Sequence, residues 1–222
     1  MKTISLLCPS RGRPEMFAEM IKSAVWSTAC PEAVEYLRYI DRDDPSFYPS
    51  IDMVQLVDIR GHRHKIAKLY NCLATIATGD ILFAVNDDVI FRTQGWDNII
   101  RAHMPEDGLA VMYPNDMFNR QCTFPIIGRQ WLDATGQLLS ERFDWWYGDT
   151  WLADIAQRIG RLIPLPIIVE HFNPLAGKRE ADDTFMHQMR DEGKHIQQDQ
   201  QTWVETDHVR AEIAERLREL IG

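Results

Sequence analysis

Cysteine is scarce in this chain of 222 residues: Cys8, Cys30, Cys72 and Cys122 are its four, and no two of them form a C-x-x-C pair. That spacing argues against a thiolate zinc cluster or a disulfide framework. The four are expected as small buried apolar side chains in a reducing compartment. No apolar run approaches the roughly 20 residues that a membrane span needs, and the apolar part of MKTISLLCPSRGRPE is too short for a secretory leader. A soluble, cytoplasmic protein with no membrane partner is the expectation. Basic residues are outnumbered, 24 Lys and Arg against 33 Asp and Glu, giving a net charge of −9. The surface is therefore not basic throughout, although a local basic cleft is compatible with that balance. Internal repeats and low-complexity segments are also missing.

What is present is alternation. The run ISLLCP (4–9) reads as a buried strand, and residues 14–28 as a helix with Phe17, Met20, Ile21, Ala24 and Val25 at spacings of three and four. Strands are expected at 35–41 and 53–59. A helix follows in HRHKIAKLYNCLATIATGD, closed by Gly79 as its stop, and DILFAV (80–85) is apolar on both faces like a central parallel strand. This order predicts one α/β domain, a layered sandwich with a mostly parallel sheet flanked by helices. Further strands are expected at 108–114, 122–128 and 164–174, and helices at 128–136, 143–161 and 207–221. The polar stretch 176–206 gives no clear pattern.

Ligands of such sheets collect at the carboxyl ends of the strands. Three polar clusters stand there: SRGR after the first strand, DRDD after the second and NDD inside FAVNDDVIF. Two adjacent carboxylates in an apolar run either cap a turn or hold a cation. Asp149, in YGDTWL, is at once a candidate helix cap and a candidate general base, with Asp144 as the substitute, and Trp145, Trp146 and Tyr147 form a candidate acceptor platform. Arg60, His62, Arg63, His64, Lys65 and Lys68 make a positive edge. It is either a solvated helix start or the border of a phosphate-bearing ligand's site.

CPSRGRP, the acidic loop after the second strand, Lys65, Asn71, GDILFAVNDD, WYGDTWLAD and EHFNP stand in an order that resembles the GT-A fold nucleotide-sugar glycosyltransferases. The inverting family-two branch and the small stand-alone enzymes of bacteriophages are the most similar. The resemblance covers about residues 4–175. It implies a nucleotide-sugar-binding half (1–92), an acceptor or catalytic half (93–175), and a flexible loop with a terminal helix (176–222). It further implies a UDP-sugar donor contacted by Pro9, Ser10, Arg11, Arg13, Asp41, Asp43, Lys65, Asn86, Asp87 and Lys178. Asp88 and His171 would hold Mn²⁺ or Mg²⁺, and Asp149 would be the base acting on an acceptor hydroxyl. That acceptor is a saccharide or a hydroxymethylated base in phage DNA. Asn86 departs from the family's D-x-D pattern, whose first position is an acid. The alternatives are a nucleotidyltransferase of related fold, disfavoured by the single glycine of SRGRP, and a non-catalytic nucleotide-sugar-binding protein.

Overall fold

The parallel strands β1 (Ile4–Ser10), β2 (Val34–Asp41) and β4 (Ile81–Ala84) lie side by side, with β1 between the other two. Their carboxyl ends therefore share one edge of the sheet, and the chain leaves each of them directly into a polar cluster. This computed structural model describes every residue except Asp52, Met53, Arg120 and Asp191, together with all side chains but those of Gln188 and Glu192. The full sheet also contains β3 (Leu56–Gly61), β5 (Val89–Phe91), β6 (Val111–Asn115), β7 (Ile126–Gly128) and β8 (Leu162–His171), in the order β3-β2-β1-β4-β7-β6-β8-β5. From β3 to β4 all pairings are parallel, whereas β7 runs antiparallel to both of its neighbours and β5 antiparallel to β8. The expected α/β sandwich is present, with a parallel half and a mixed half.

Side-chain alternation explains the layers. Ile4, Leu6 and Cys8 of β1 join one core with Phe17 and Met20 of α1 (Pro14–Ser27) and Trp96 of α3 (Trp96–His103). Leu7, between them, joins a second core with Leu73 of α2 (Ile66–Ile76), Trp131 of α4 (Arg129–Thr135) and Ile155 of α5 (Gly148–Arg158). Each such fully buried large side chain contributes roughly 1.5–3 kcal/mol of transfer free energy.

Several expectations shift. The third strand begins at Leu56 rather than at 53; Met53 lies outside the described residues, and Val54 N donates to Ile51 O. The strand at 122–128 contracts to Ile126–Gly128. Cys8 and Cys122 are buried as expected, but Cys30 and Cys72 are half-exposed. Residues beyond 176, expected as a flexible loop and one helix, form α6 (Asp183–Met189), α7 (Glu192–Glu205) and α8 (Asp207–Ile221).

Gly79 is not the helix stop. The helix ends at Ile76 with Ala77 as its cap, and Gly79 N instead donates to Ser5 Oγ at 2.8 Å. A Cβ at this position would stand 2.4 Å from Ser5 Oγ and 2.7 Å from Ser5 N. Gly79→Ala is therefore expected to force β4 away from β1 and to cost about 1–3 kcal/mol, read as a lower midpoint in urea unfolding at an unchanged slope.

Candidate functional site

The edge shared by β1, β2 and β4 opens into a cavity of about 670 Å³. Asp87 and Asp88, just past β4, are both buried at its base. They occupy a turn but do not cap it. Asp87 accepts from Ser10 Oγ (2.7 Å) and from Arg13 Nη1 (3.1 Å), while Asp88 Oδ2 accepts from Arg179 Nη2 (3.0 Å). Burial pushes the Asp87 carboxyl up to about 6, against the pull of Arg13. Burial acts on Asp88 in the same direction, but His171, Arg13 and Arg179 outweigh it and hold that carboxyl below its ordinary value.

Strand pairing brings Asp88 to His171. β5 begins directly after Asp88 and runs antiparallel to β8, with Val89 opposite His171, and Phe172 N donates to Asp88 O at 2.8 Å. The imidazole packs edge-on against Phe124, its centroid 5.0 Å away. His171 Nε2 stands 3.3 Å from Asp88 Oδ1, without hydrogen-bond alignment. Both Asp88 Oδ1 and His171 Nδ1 are buried and unpartnered among the described residues.

These two groups fit a divalent cation. Neighbouring ligands of an octahedral ion bound at about 2.0–2.2 Å lie about 3 Å apart, close to the 3.3 Å between Asp88 Oδ1 and His171 Nε2. No third His, Cys, Asp or Glu joins them among the described residues. Such a site suits an ion that completes its shell with water and the ligand's phosphate oxygens.

Ten of the thirteen residues expected in the site line this cavity: Pro9, Ser10, Arg11, Arg13, Asp41, Asn86, Asp87, Asp88, Asp149 and His171. Asp41, at the end of β2, is bound through Oδ2 to Arg11 at 2.9 Å and keeps a buried Oδ1 without a partner. Asn86 Oδ1 lies 2.9 Å from the Tyr70 hydroxyl, so an acid at this position would place its charge against a phenol buried in the core. Three residues stand elsewhere. Asp43 is exposed and pairs with Arg11 at 2.7 Å. Lys65 pairs with Asp144, and Lys178 with Glu170 at 3.1 Å. It is Arg179, the neighbour of Lys178, that reaches Asp88. Of the positive edge, Arg63 and His64 line the cavity.

Asp149 is not the cap of α5. Tyr147 holds that position in a left-handed conformation (φ 67°), and Asp149 sits in the first turn, where Oδ1 accepts from the Thr150 amide at 2.7 Å. Loss of solvent around it raises its carboxyl above the ordinary value. That direction suits a group that must take up a proton near neutral pH.

Sequence reasoning missed Asp182 and Tyr48. Asp182 caps α6 through the Phe185 amide (2.8 Å) and takes a two-pronged bond from Arg13, Nε at 2.7 Å and Nη2 at 2.8 Å. A helix-capping signal was legible in ADDTF, but its link to Arg13, 169 residues away, was not. Tyr48 lies 3.1 Å from Ser10 Oγ and props the loop after β1. In that loop Gly12 adopts a left-handed φ of 67° against Thr184 of α6, a conformation that glycine reaches without strain.

No protein-family model and no curated protein matches the sequence. The likeness lies in three dimensions. The mannosyltransferase PcManGT from Pyrobaculum calidifontis, solved with GDP-Man and Mn²⁺, superposes with a TM-score of 0.67 at 11% identity, over 92% of this chain and 64% of that one. S. aureus TarS 1–349 superposes with a TM-score of 0.58 at 12% identity, over 85% of this chain and 64% of that one in its UDP-GlcNAc complex. In the UDP complex of TarS 1–349 the score and identity are the same, over 76% and 57%. The chain thus spans less than two thirds of each of these proteins. The shared architecture is the GT-A-like fold of nucleotide-sugar glycosyltransferases, the fold that the sequence motifs resemble.

Proposed function

We propose that this chain is a metal-dependent glycosyltransferase that moves a sugar from a UDP-sugar to an acceptor hydroxyl, with inversion at the anomeric carbon. The observation that carries the reading is one cavity lined by Asp88 and His171, whose Oδ1 and Nδ1 are buried without hydrogen-bond partners among the described residues, and also by Asp149, whose carboxyl is raised above its ordinary value by burial. PcManGT binds GDP-Man with Mn²⁺ and TarS binds UDP-GlcNAc, which supports a nucleotide-sugar donor in the corresponding fold.

Residues 1–92 hold the nucleotide. Asp41 Oδ1 is free to accept an imide N–H such as that of uracil, and Asn86 and Ser10 border the diphosphate. Asp88 and His171 would hold Mn²⁺ or Mg²⁺, which when bound would neutralise charge on the diphosphate. Arg13 and Arg179, already beside Asp88, add fixed positive charge where the leaving group becomes more negative. Asp149 takes the acceptor's proton as the oxygen attacks the anomeric carbon. The bond to the diphosphate oxygen breaks at the same time, and its electron pair leaves with UDP. Residues 93–175 receive the acceptor, for which Trp145 and Trp146 at the cavity wall offer stacking faces. A saccharide and a hydroxymethylated base in phage DNA both suit such faces. Among the described residues no helix is long and apolar enough to cross a membrane.

Thermal unfolding with Mn²⁺ and a panel of UDP, GDP, ADP and CDP tests the reading. UDP at 100 times its Kd is expected to add about 2.7 kcal/mol, with metal present and beyond the effect of the other nucleotides. If no nucleotide stabilises the protein, with or without metal, the proposal fails.

A further inference from the structure

Helix α7 lies in the stretch whose sequence showed no clear pattern, yet one of its faces meets the loop in front of Asp149. His195, Asp199 and Trp203 recur at every fourth residue and so stand in one row. Each meets a different part of residues 144–147. His195 Nδ1 lies 3.1 Å from Asp144 Oδ2, and Asp144 is also the partner of Lys65 at the start of α2. Trp203 packs on Tyr147 with ring centroids 5.4 Å apart.

Between them, Asp199 is 1% exposed and accepts three backbone amides. Asp144 N donates to Oδ1 at 2.7 Å, and Trp145 N and Trp146 N donate to Oδ2 at 3.0 and 2.9 Å. Three amides gathered on one buried carboxylate fix the backbone of 144–146. Tyr147 is then held in its left-handed conformation between Trp203 and Phe143. α5 starts at the next residue, with Asp149 in its first turn.

We propose that α7 is a brace for the active site and that Asp199 is its positioning residue. By setting the loop 144–147, it fixes where Asp149 and the Trp145–Trp146 faces point, and so which acceptors fit. The catalytic part of this inference rests on the function proposed above; the bracing itself does not. A base two residues past the left-handed Tyr147 needs such support, because a displacement of about 1 Å costs about 100-fold in rate.

Asp199→Ala and the isosteric Asp199→Asn test it in the full chain, by amide hydrogen exchange and by hydrolysis of UDP-glucose with Mn²⁺. In Asp199→Ala, exchange at 144–149 is expected to rise by about tenfold or more while the segments 10–13 and 86–88 keep the parent's rates. The Kd for UDP with Mn²⁺ should stay within about twofold, and kcat for hydrolysis should fall by about 10–100-fold at an unchanged donor KM. Asp199→Asn, which keeps one acceptor oxygen, should fall between the two. Unchanged exchange at 144–149 in both variants overturns the brace, as does a rise spread evenly over the chain. A loss of donor affinity equal to the loss of kcat overturns the assignment to the acceptor side. If the parent binds no nucleotide, the proposed function fails, and the exchange data still decide the brace.

Discussion

Asp88→Ala is expected to abolish the stabilisation by UDP that depends on Mn²⁺ and to lower donor turnover by about 10²–10³-fold or more. The substitution leaves only His171 of the proposed ligand pair, and one imidazole does not hold a hard divalent cation at micromolar metal. The effect on the free protein is expected to be much smaller. Breaking a buried ion pair commonly costs about 3–5 kcal/mol because the surviving charge is stranded. Here neither arginine is stranded: Arg13 keeps Asp87 at 3.1 Å and Asp182 at 2.7 Å, and Arg179 keeps Asp182 at 3.2 Å. Removal of Asp88 also relieves the repulsion that helps to raise Asp87. The variant should therefore fold with a melting temperature near the parent's when no ligand is added, and lose the shift only when metal and UDP are present together. Melting curves with neither ligand, each alone and both resolve these terms. A variant that keeps the full joint shift would remove Asp88 from the metal site.

The parts of this site that were legible in the sequence are those where local pattern and topology coincide. The apolar runs at 4–9 and 80–85 each feed both cores, and parallel neighbours must end on the same edge, so topology alone brings Ser10, Asp41 and Asp87 together. His171 was legible for a related reason, as the polar end of an otherwise apolar strand. Polar, long-range contacts left no such trace. Asp182 and Asp199 look like ordinary surface acids in a polar tract; only the folded chain shows one holding Arg13 and the other holding three amides. β5, three residues long, and α3, with apolar Trp96 and Ile100 among charged neighbours, were too short for their periodicity to stand out. Lys178 and Arg179 differ by one position, and sequence alone could not say which faces Asp88. Gly79 read as a helix stop because glycine commonly ends helices, whereas its use here is the close approach of its backbone to Ser5.

Asp149→Asn is the counterpart on the acceptor side, and its two effects are expected to have opposite signs. Removing the base should lower kcat by about 10²–10⁴-fold while the Kd for UDP with Mn²⁺ stays at the parent's value, because no contact of Asp149 reaches the Asp88–His171 pair. Stability should not fall. The carboxyl's folded pKa is raised above 3.8 by burial, so the protonated form is the one the fold favours. Its contribution is fully present below 3.8, the ordinary value, and is lost as pH rises through the higher folded value. Above the folded value the protein therefore carries an ionised, poorly solvated carboxylate at a cost. An amide of the same shape removes that cost and can still accept from the Thr150 amide, as Oδ1 does at 2.7 Å. The melting temperature of Asp149→Asn at pH 7 should equal or exceed the parent's, and the excess should vanish below pH 4. The same raised pKa places the acid limb of the parent's pH–rate profile above the range of an exposed aspartate, since only the ionised form takes the proton. A variant that is less active and also less stable at neutral pH would mark Asp149 as a structural acid and leave Asp144, pinned between Lys65 and His195, as the group to test next. A gain in stability together with lost turnover is the signature of a carboxylate kept in an unfavourable place for its chemistry.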